Sequence, residues 1–371
     1  MTRRIAFSHV ARAAVAAGAL LAAPSAGADE VADFYKGKTL NLIISTGVGG
    51  SNNVNARLLL RHMVKHIPGN PDFVAKNMPG GGHIRAANYL YNVAPKDGSH
   101  IGALVRFYVL HQALGGKSVK YDARKFNYLG STGNSNVVAQ AWKESGFDRI
   151  GQVFEKELIV GGTGTGSGTV IFPTVLNALL DTKFKIVSGY KSGHEIDLAM
   201  ERGEVQGRIG NTFESIRAIH PAWLKGDGPI NILLQIGLEK EPGQESIPLA
   251  LDLVKDEKKK RILALYSGVV SVGSPIFTTP GVPAARVAAL RKAFETTMKD
   301  PAYLAEAEKV RFEITPTGAD KLARIVSDIV DAPPEVLRGA REVVKYRNLV
   351  KCSEHTDSKY CAKVRKKKKE D

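Results

Sequence analysis

The sequence predicts an α/β protein of two similar lobes with a ligand cleft between them. Three observations lead there. Short apolar runs alternate with amphipathic helical patterns over most of the chain, as layered sheets and helices require. A unit of strand, glycine-rich turn and helix near the start returns near residue 158. From Asp256 onward the pattern becomes mostly helical. The 371 residues suffice for two domains with ample core.

The first element reads as an export leader. Arg3, Arg4 and Arg12 accompany an apolar stretch at 13–23, and Ala26-Gly27-Ala28 supplies a small-residue cleavage site. Residues 1–28 are therefore expected to be a cleaved signal peptide, with the mature chain starting at Asp29. No later segment is apolar for the roughly 18 residues that a membrane-spanning helix needs. Residues 40–45 form the first strand, followed by the turn Thr46-Gly47-Val48-Gly49-Gly50-Ser51-Asn52-Asn53. In the next helix Val54, Leu58, Leu59, His62 and Met63 recur at helical spacing. After the break at 68–71, a short strand at 73–75 leads into Met78-Pro79-Gly80-Gly81-Gly82-His83. A helix follows with Ala86, Ala87, Leu90 and Tyr91 on one face, and then a third strand at 101–105.

A second series begins at 126–130. Its strands are expected at 137–142, 158–160, 184–187, 205–209 and 230–235, and its helices at 170–180, 195–202 and 213–220. The second glycine-rich turn, Gly161-Gly162-Thr163-Gly164-Thr165-Gly166-Ser167-Gly168-Thr169, precedes the first of these helices. Later helices are expected at 283–298, 301–309, 318–330 and 335–345, with Pro283, Pro301 and Pro334 near their starts, where proline is tolerated. The sheets are expected to be mostly parallel. The domain reading gives 29–128 and 236–350 to the first lobe, 129–235 to the second, and 351–371 to a tail. Two connections between the lobes then act as a hinge beside the cleft.

Charge and cysteines add little chemistry. The formal net charge is +15, of which residues 1–28 carry three and 363–371 four, leaving eight for the body. That excess steers anions, but no clustered basic face or recognised module points to nucleic acid. The run Lys366 to Lys369 reads as a solvated end. Cys352 and Cys361 are the two cysteines, and in an oxidising compartment a disulfide between them is expected. No metal site or cofactor is implied.

Several enzyme motifs are approached and missed. Leu114-Gly115-Gly116-Lys117-Ser118 lacks the leading P-loop glycine, since position 111 is His111. His194-Glu195-Ile196-Asp197-Leu198 lacks the second histidine of a zinc helix. Gly47, Gly49 and Asn52 depart from the dinucleotide fingerprint, and no acid stands near enough to hold a ribose until Asp72. Around Ser167, Thr165 and Thr169 stand where the G-x-S-x-G of a nucleophile elbow needs glycines. It can serve as a turn hydroxyl, a helix cap or a ligand hydrogen bond.

Both glycine turns leave backbone N–H groups at a helix start, where the helix dipole favours an anion. Stretches across the chain carry a family pattern in order. They are residues 34–39 and 56–59, His66-Ile67-Pro68-Gly69-Asn70-Pro71, Asn77-Met78-Pro79-Gly80-Gly81-Gly82, 86–92, Ala94-Pro95-Lys96-Asp97-Gly98 and Ile101-Gly102. Later come Gly164-Thr165-Gly166-Ser167-Gly168-Thr169, Gly189-Tyr190-Lys191-Ser192-Gly193, 200–205 and Pro280-Gly281-Val282-Pro283. Taken together they resemble the periplasmic receptors of tripartite tricarboxylate transporters, the Bug receptors.

The resemblance implies a type II periplasmic-binding-protein fold and a monomer that takes up a small organic acid and passes it to membrane transporter subunits. It implies a carboxylate held by backbone groups, hydroxyls and water. Carried onto this chain, the ligand residues are Val48, Gly49, Gly50, Ser51, Asn52 and Asn53 in the first turn, Gly80, Gly81, Gly82 and His83 in the next, and Arg106 after the third strand. In the second lobe they are Thr163, Gly164, Thr165, Gly166, Ser167, Gly168 and Thr169, with Asn211 at a strand end. Two departures stand out: Asn53 where many relatives carry an acid, and His83 where a small residue is usual. Asn53 is expected to favour a more anionic ligand or one without an amino group, unless it or Asn52 simply caps the helix. His83 adds a donor or a pH-sensitive charge, or is a surface residue at a helix start. A secreted hydrolase using Ser167 and a sensing receptor without transport are the rival readings.

Overall fold

A computed structural model describes residues 26–345 and 349–351. The expected leader up to residue 25, the Cys352–Cys361 pair and the basic tail lie outside them. Two mixed six-stranded sheets form the two lobes. The first contains β1 (Thr39–Ile44), β2 (Asp72–Asn77), β3 (His100–Ala103), β4 (Asn127–Ser131), β10 (Pro275–Thr278) and β11 (Thr317–Gly318), in the spatial order β11-β4-β10-β3-β1-β2. The second contains β5 (Val137–Trp142), β6 (Leu158–Gly162), β7 (Phe184–Ser188), β8 (Gly207–Thr212), β9 (Ile230–Ile236) and β12 (Leu349–Lys351), in the order β12-β7-β6-β8-β5-β9.

The expected mostly parallel sheets are in fact evenly mixed. β1 runs parallel to β2 and β3, and β6 parallel to β7 and β8. β10 is antiparallel to β3 and β4, and β5 to β8 and β9. Parallel neighbours need a long crossover, which the helices supply within each lobe. The short passage from β4 to β5 at 132–136 has no room for one, and β10 re-enters the first sheet from the other lobe.

Helices cover both faces. The first sheet carries α1 (Ala26–Tyr35), α2 (Ser51–Met63), α3 (Ile84–Asn92) and α4 (Phe107–Ala113), later joined by α11 (Ala284–Thr297), α12 (Pro301–Lys309) and α13 (Ala319–Val330). The second carries α5 (Gly151–Glu155), α6 (Gly168–Leu180), α7 (Gly193–Glu201) and α8 (Phe213–Ile219). The returning segment also holds α9 (Ala250–Leu253), α10 (Glu257–Gly268) and α14 (Pro334–Val343). α9 packs on β9, and α10 and α14 pack on α6. Part of 236–350 thus lies against the second sheet, whereas the domain reading gave that whole span to the first lobe.

Covering both faces removes the alternation expected of a half-exposed strand. In β1, Leu40, Leu42, Ile43 and Ile44 are all buried. α13 keeps a one-sided pattern, burying Ala319, Leu322, Val326 and Ile329. α6 is buried along nearly its whole length. Its Pro173 withholds an N–H from the helix ladder, while the Thr174 hydroxyl donates to Val170 O at 2.8 Å. Phe172 of α6 meets Phe107 of α4 edge-on, with ring centroids 5.6 Å apart. One hydrophobic cluster therefore runs from Ile43 and Phe277 of the first sheet to Val160 and Leu234 of the second. This apolar seam joins the lobes behind the cleft.

Candidate functional site

A cavity of about 520 Å³ lies between the lobes. The parallel strands β1, β3, β6, β7 and β8 all end toward it, the usual place for a ligand in open α/β sheets. Six helices also start on its wall. α2 presents Gly50, Ser51 and Asn52, α3 presents His83, and α4 presents Arg106 and Phe107. α6 presents Ser167, Gly168 and Thr169, α7 presents Ser192 and Gly193, and α8 presents Thr212 and Ser215. Each start carries the positive end of a helix dipole, up to about half a charge. The wall is positive from both sides before any side-chain charge is counted.

Most residues singled out from the sequence reach this wall. Val48, Gly50, Ser51, Asn52, Gly80, Gly81, Gly82, His83, Arg106, Thr163, Gly164, Ser167, Gly168, Thr169 and Asn211 line it. Gly49, Asn53, Thr165 and Gly166 do not. Asn53 is buried behind the first turn, where its Oδ1 accepts from Arg57 Nε at 3.1 Å and Asn77 Nδ2 at 2.9 Å. Asn77 Nδ2 also donates to Thr46 O at 2.7 Å. The amide at position 53 thus braces the turn instead of setting the charge of the pocket. Neither Asn52 nor Asn53 caps α2, whose N-cap is Gly50.

The second turn, at 80–83, is left-handed throughout, with φ values of 130, 58, 61 and 80°. Only the last, His83, is not glycine. Its Nδ1 donates to Ser45 O at 3.3 Å. Burial lowers its pKa to about 4, and His111 adds to that lowering against the Ser45 hydrogen bond. His83 is therefore neutral at physiological pH.

In the second lobe three hydroxyls form one cluster. Thr163 Oγ1 donates to Ser167 Oγ at 2.7 Å, and Thr169 Oγ1 lies 2.7 Å from Ser167 Oγ and 3.1 Å from Thr163 Oγ1. Ser167 Oγ also donates to Gly164 O at 2.8 Å. No imidazole or carboxylate stands among its hydrogen-bond partners in the described residues. Ser167 occupies the N-cap position of α6 without a side-chain cap bond.

Four charged residues on the wall are not among the ligand residues expected from the sequence. Arg208 of β8 holds Asp197 of α7 through Nη1, at 2.7 and 2.9 Å to the two carboxylate oxygens. Asp197 Oδ2 also meets His220 Nε2 at 3.2 Å. Burial alone would raise the Asp197 carboxyl. The Arg208 charge and the hydrogen bonds of His220 and Arg208 outweigh it and hold the carboxyl below its ordinary value. Glu214 stands in the first turn of α8, and Lys191 at the rim. Burial pushes the Glu214 carboxyl up to about 7, against the opposing pull of Arg106 and Arg217. Arg106, singled out from the sequence, donates from Nη1 to Val270 O at 2.7 Å. Burial pulls its guanidinium down to about 10, still charged at neutral pH.

The lobes touch on both sides of the cavity. On one side His111 Nε2 donates to Gly166 O at 2.9 Å, and Gly82 packs directly on Gly166. On the other, Ser215 Oγ donates to Ser51 Oγ at 3.1 Å, and Arg217 pairs with Glu313 at 3.0 Å. The two glycine turns thus face one groove and meet at its edge.

No protein-family model matches the chain, and no curated protein matches it in sequence. Solved structures do match in shape. MatC from Rhodopseudomonas palustris, solved with malate, superposes with a TM-score of 0.62 at 18% identity, over 83% of this chain and 99% of its own. The periplasmic binding protein BugD gives 0.63 at 16% identity, over 83% and 98%. This chain has the fold of the periplasmic binding proteins. A TctC solute-binding protein from Polaromonas gives 0.56 at 14% identity, over 84% and 99%. These matches span nearly the full length of each binding protein, so both lobes and their connections are shared. The expected type II arrangement of two α/β lobes around a cleft is thereby established.

Proposed function

We propose that the protein is an exported, monomeric solute receptor. It captures a small organic acid between its lobes in the periplasm and delivers it to a membrane transporter of the tripartite tricarboxylate type. The observation that carries this reading is the convergence of six helix starts, from both lobes, on one cavity. Similarly folded proteins solved with malate and with adipate support the ligand class, and the leader-like N-terminus supports export. A micromolar receptor needs about 8 kcal/mol of net binding free energy. One helix dipole gives at most about 2 kcal/mol, and one hydrogen bond to a charged group about 1.5–3 kcal/mol. Capture therefore needs donors from both lobes at once, which the cavity places within reach of one molecule.

Native mass spectrometry of the protein purified from its host, followed by a thermal-shift screen of organic acids, tests the reading. A carboxylate bound one to one, unchanged on release, is the expected result. Turnover of the bound acid that stops in a folded Ser167→Ala variant would establish the hydrolase instead. Small-angle scattering should show a smaller radius on saturation, because closure assembles the site.

Arg106→Gln should weaken carboxylate binding about 10- to 100-fold, the loss of one charge-assisted hydrogen bond. Isothermal titration calorimetry reads this directly. An unchanged affinity would place the carboxylate elsewhere on the wall.

A further inference from the structure

The charges on the cavity wall are unevenly paired. Arg208 and Asp197 neutralise each other through two short hydrogen bonds. Lys191 sits at the exposed rim. That leaves Arg106 and Glu214. Among the described residues, no salt bridge or side-chain hydrogen bond reaches the Glu214 carboxylate; its backbone N–H donates to Ser135 Oγ at 3.2 Å. Among the described residues, the Arg106 guanidinium has only the carbonyl of Val270 as a hydrogen-bond partner. Each lies in the other's electrostatic field, yet they form no ion pair. One stands at the start of α4 and the other in the first turn of α8, on opposite lobes.

A half-buried carboxylate without a partner is disfavoured, and a plain carboxylate ligand would add to that by bringing a second negative charge beside it. A ligand carrying both charges removes both deficits. We infer that Glu214 receives the ammonium group of the ligand while Arg106 and the helix starts receive its carboxylate, so that the cleft selects zwitterionic amino acids over the corresponding deaminated acids. This rests on the carboxylate-receptor reading and narrows it. It also moves the reading of an amino group away from position 53, whose side chain faces the bracing network of the first turn. The raised pKa of Glu214 accords with an acid whose counter-charge arrives with the ligand.

Matched pairs of probes decide it: L-glutamate against glutarate, L-leucine against 4-methylpentanoate, and L-phenylalanine against 3-phenylpropionate, each titrated calorimetrically at pH 7.5. At least one amino acid should bind 10-fold or more tightly than its deaminated partner. Glu214→Gln should erase that preference by weakening the amino acid, while leaving the deaminated acid as tight or tighter. Retained binding of the deaminated acid also shows that the variant is folded. Equal binding, or tighter binding of the deaminated acid, in every pair that binds overturns the inference and leaves the receptor reading intact. If no member of any pair binds and the screen of organic acids also fails, the carboxylate-receptor reading falls and takes this inference with it.

Discussion

Gly82→Ala should lower ligand affinity about 30- to 100-fold, whereas Gly81→Ala, one residue earlier, should change it only a few-fold. The two positions have nearly the same left-handed backbone, with φ of 61° and 58°. Either alanine meets the same local strain, about 1 kcal/mol. Their surroundings differ. A Cβ on Gly81 would touch only Ile84 Cβ at 3.7 Å, an ordinary contact. A Cβ on Gly82 would come within 2.7 Å of Gly166 O and 2.8 Å of Gly166 Cα, on the opposite lobe. Backbone there cannot give way, so the cheapest relief is to part the lobes. Overpacking of this kind costs about 1–3 kcal/mol, and the part set by Gly166 falls on the closed state alone, whereas the 2.7 Å approach to the His111 side chain of the same lobe is met in either state. Calorimetry of both variants measures the difference. Scattering adds a second readout, since Gly82→Ala should remain more open at saturating ligand. Equal affinities in the two variants would mean that the contact between the glycine turns is no part of the binding state.

Much of this site was legible because glycine leaves a clear trace. The turns at 46–53 and 161–169 each follow an apolar run and precede a helical period, so their place at strand ends could be read without coordinates. Asn211 was found the same way, although β8 runs to Thr212 and not 209. The residues that escaped notice are charged residues inside predicted elements. Arg208 lies in a strand, and Glu214 in a helix, two residues past the end of β8 at Thr212. In sequence a charge there reads as a solvated face, and only the folding of β8 and α8 onto the cleft turns it inward. Asn53 erred the other way. The family resemblance carries it into the pocket with the rest of the first turn, but it is the third residue of α2 and points back to Arg57 and Asn77. β10 was missed because it is four residues long and begins with proline, which a strand accepts at its first position.

Two half-buried titratable residues on the wall, Glu214 and His83, should oppose each other in the pH dependence of stability. Glu214 has its pKa raised from 4.5 to about 7 in the folded protein, chiefly by burial, with Glu241 and Glu313 adding to the rise. Between those values the native state keeps a proton that the unfolded chain releases. Stability from this group is complete below pH 4.5 and is lost as pH rises through 7. His83 has its pKa lowered from 6.5 to about 4, so between those values the unfolded chain holds a proton that the native state refuses. Its contribution is complete above pH 6.5 and is lost as pH falls toward 4. Each shift corresponds to something on the order of 2–3 kcal/mol after allowance for partial exposure. From pH 4.5 to 6.5 the two slopes cancel, and above 6.5 Glu214 acts alone. Glu214→Gln should therefore raise the melting temperature of the ligand-free protein by a few degrees at pH 8 and hardly at all at pH 4.5. His83→Asn, which tolerates the left-handed backbone, should expose the opposite slope, with melting temperature falling steadily from pH 4.5 to 7. Thermal unfolding of the three proteins across pH 4.5–8 at constant ionic strength reads both effects. A Glu214→Gln curve parallel to that of the parent would show that the carboxyl is already solvated. An amino acid bound in the cleft should flatten the parent's curve above pH 6.5, because its ammonium supplies the charge that Glu214 lacks.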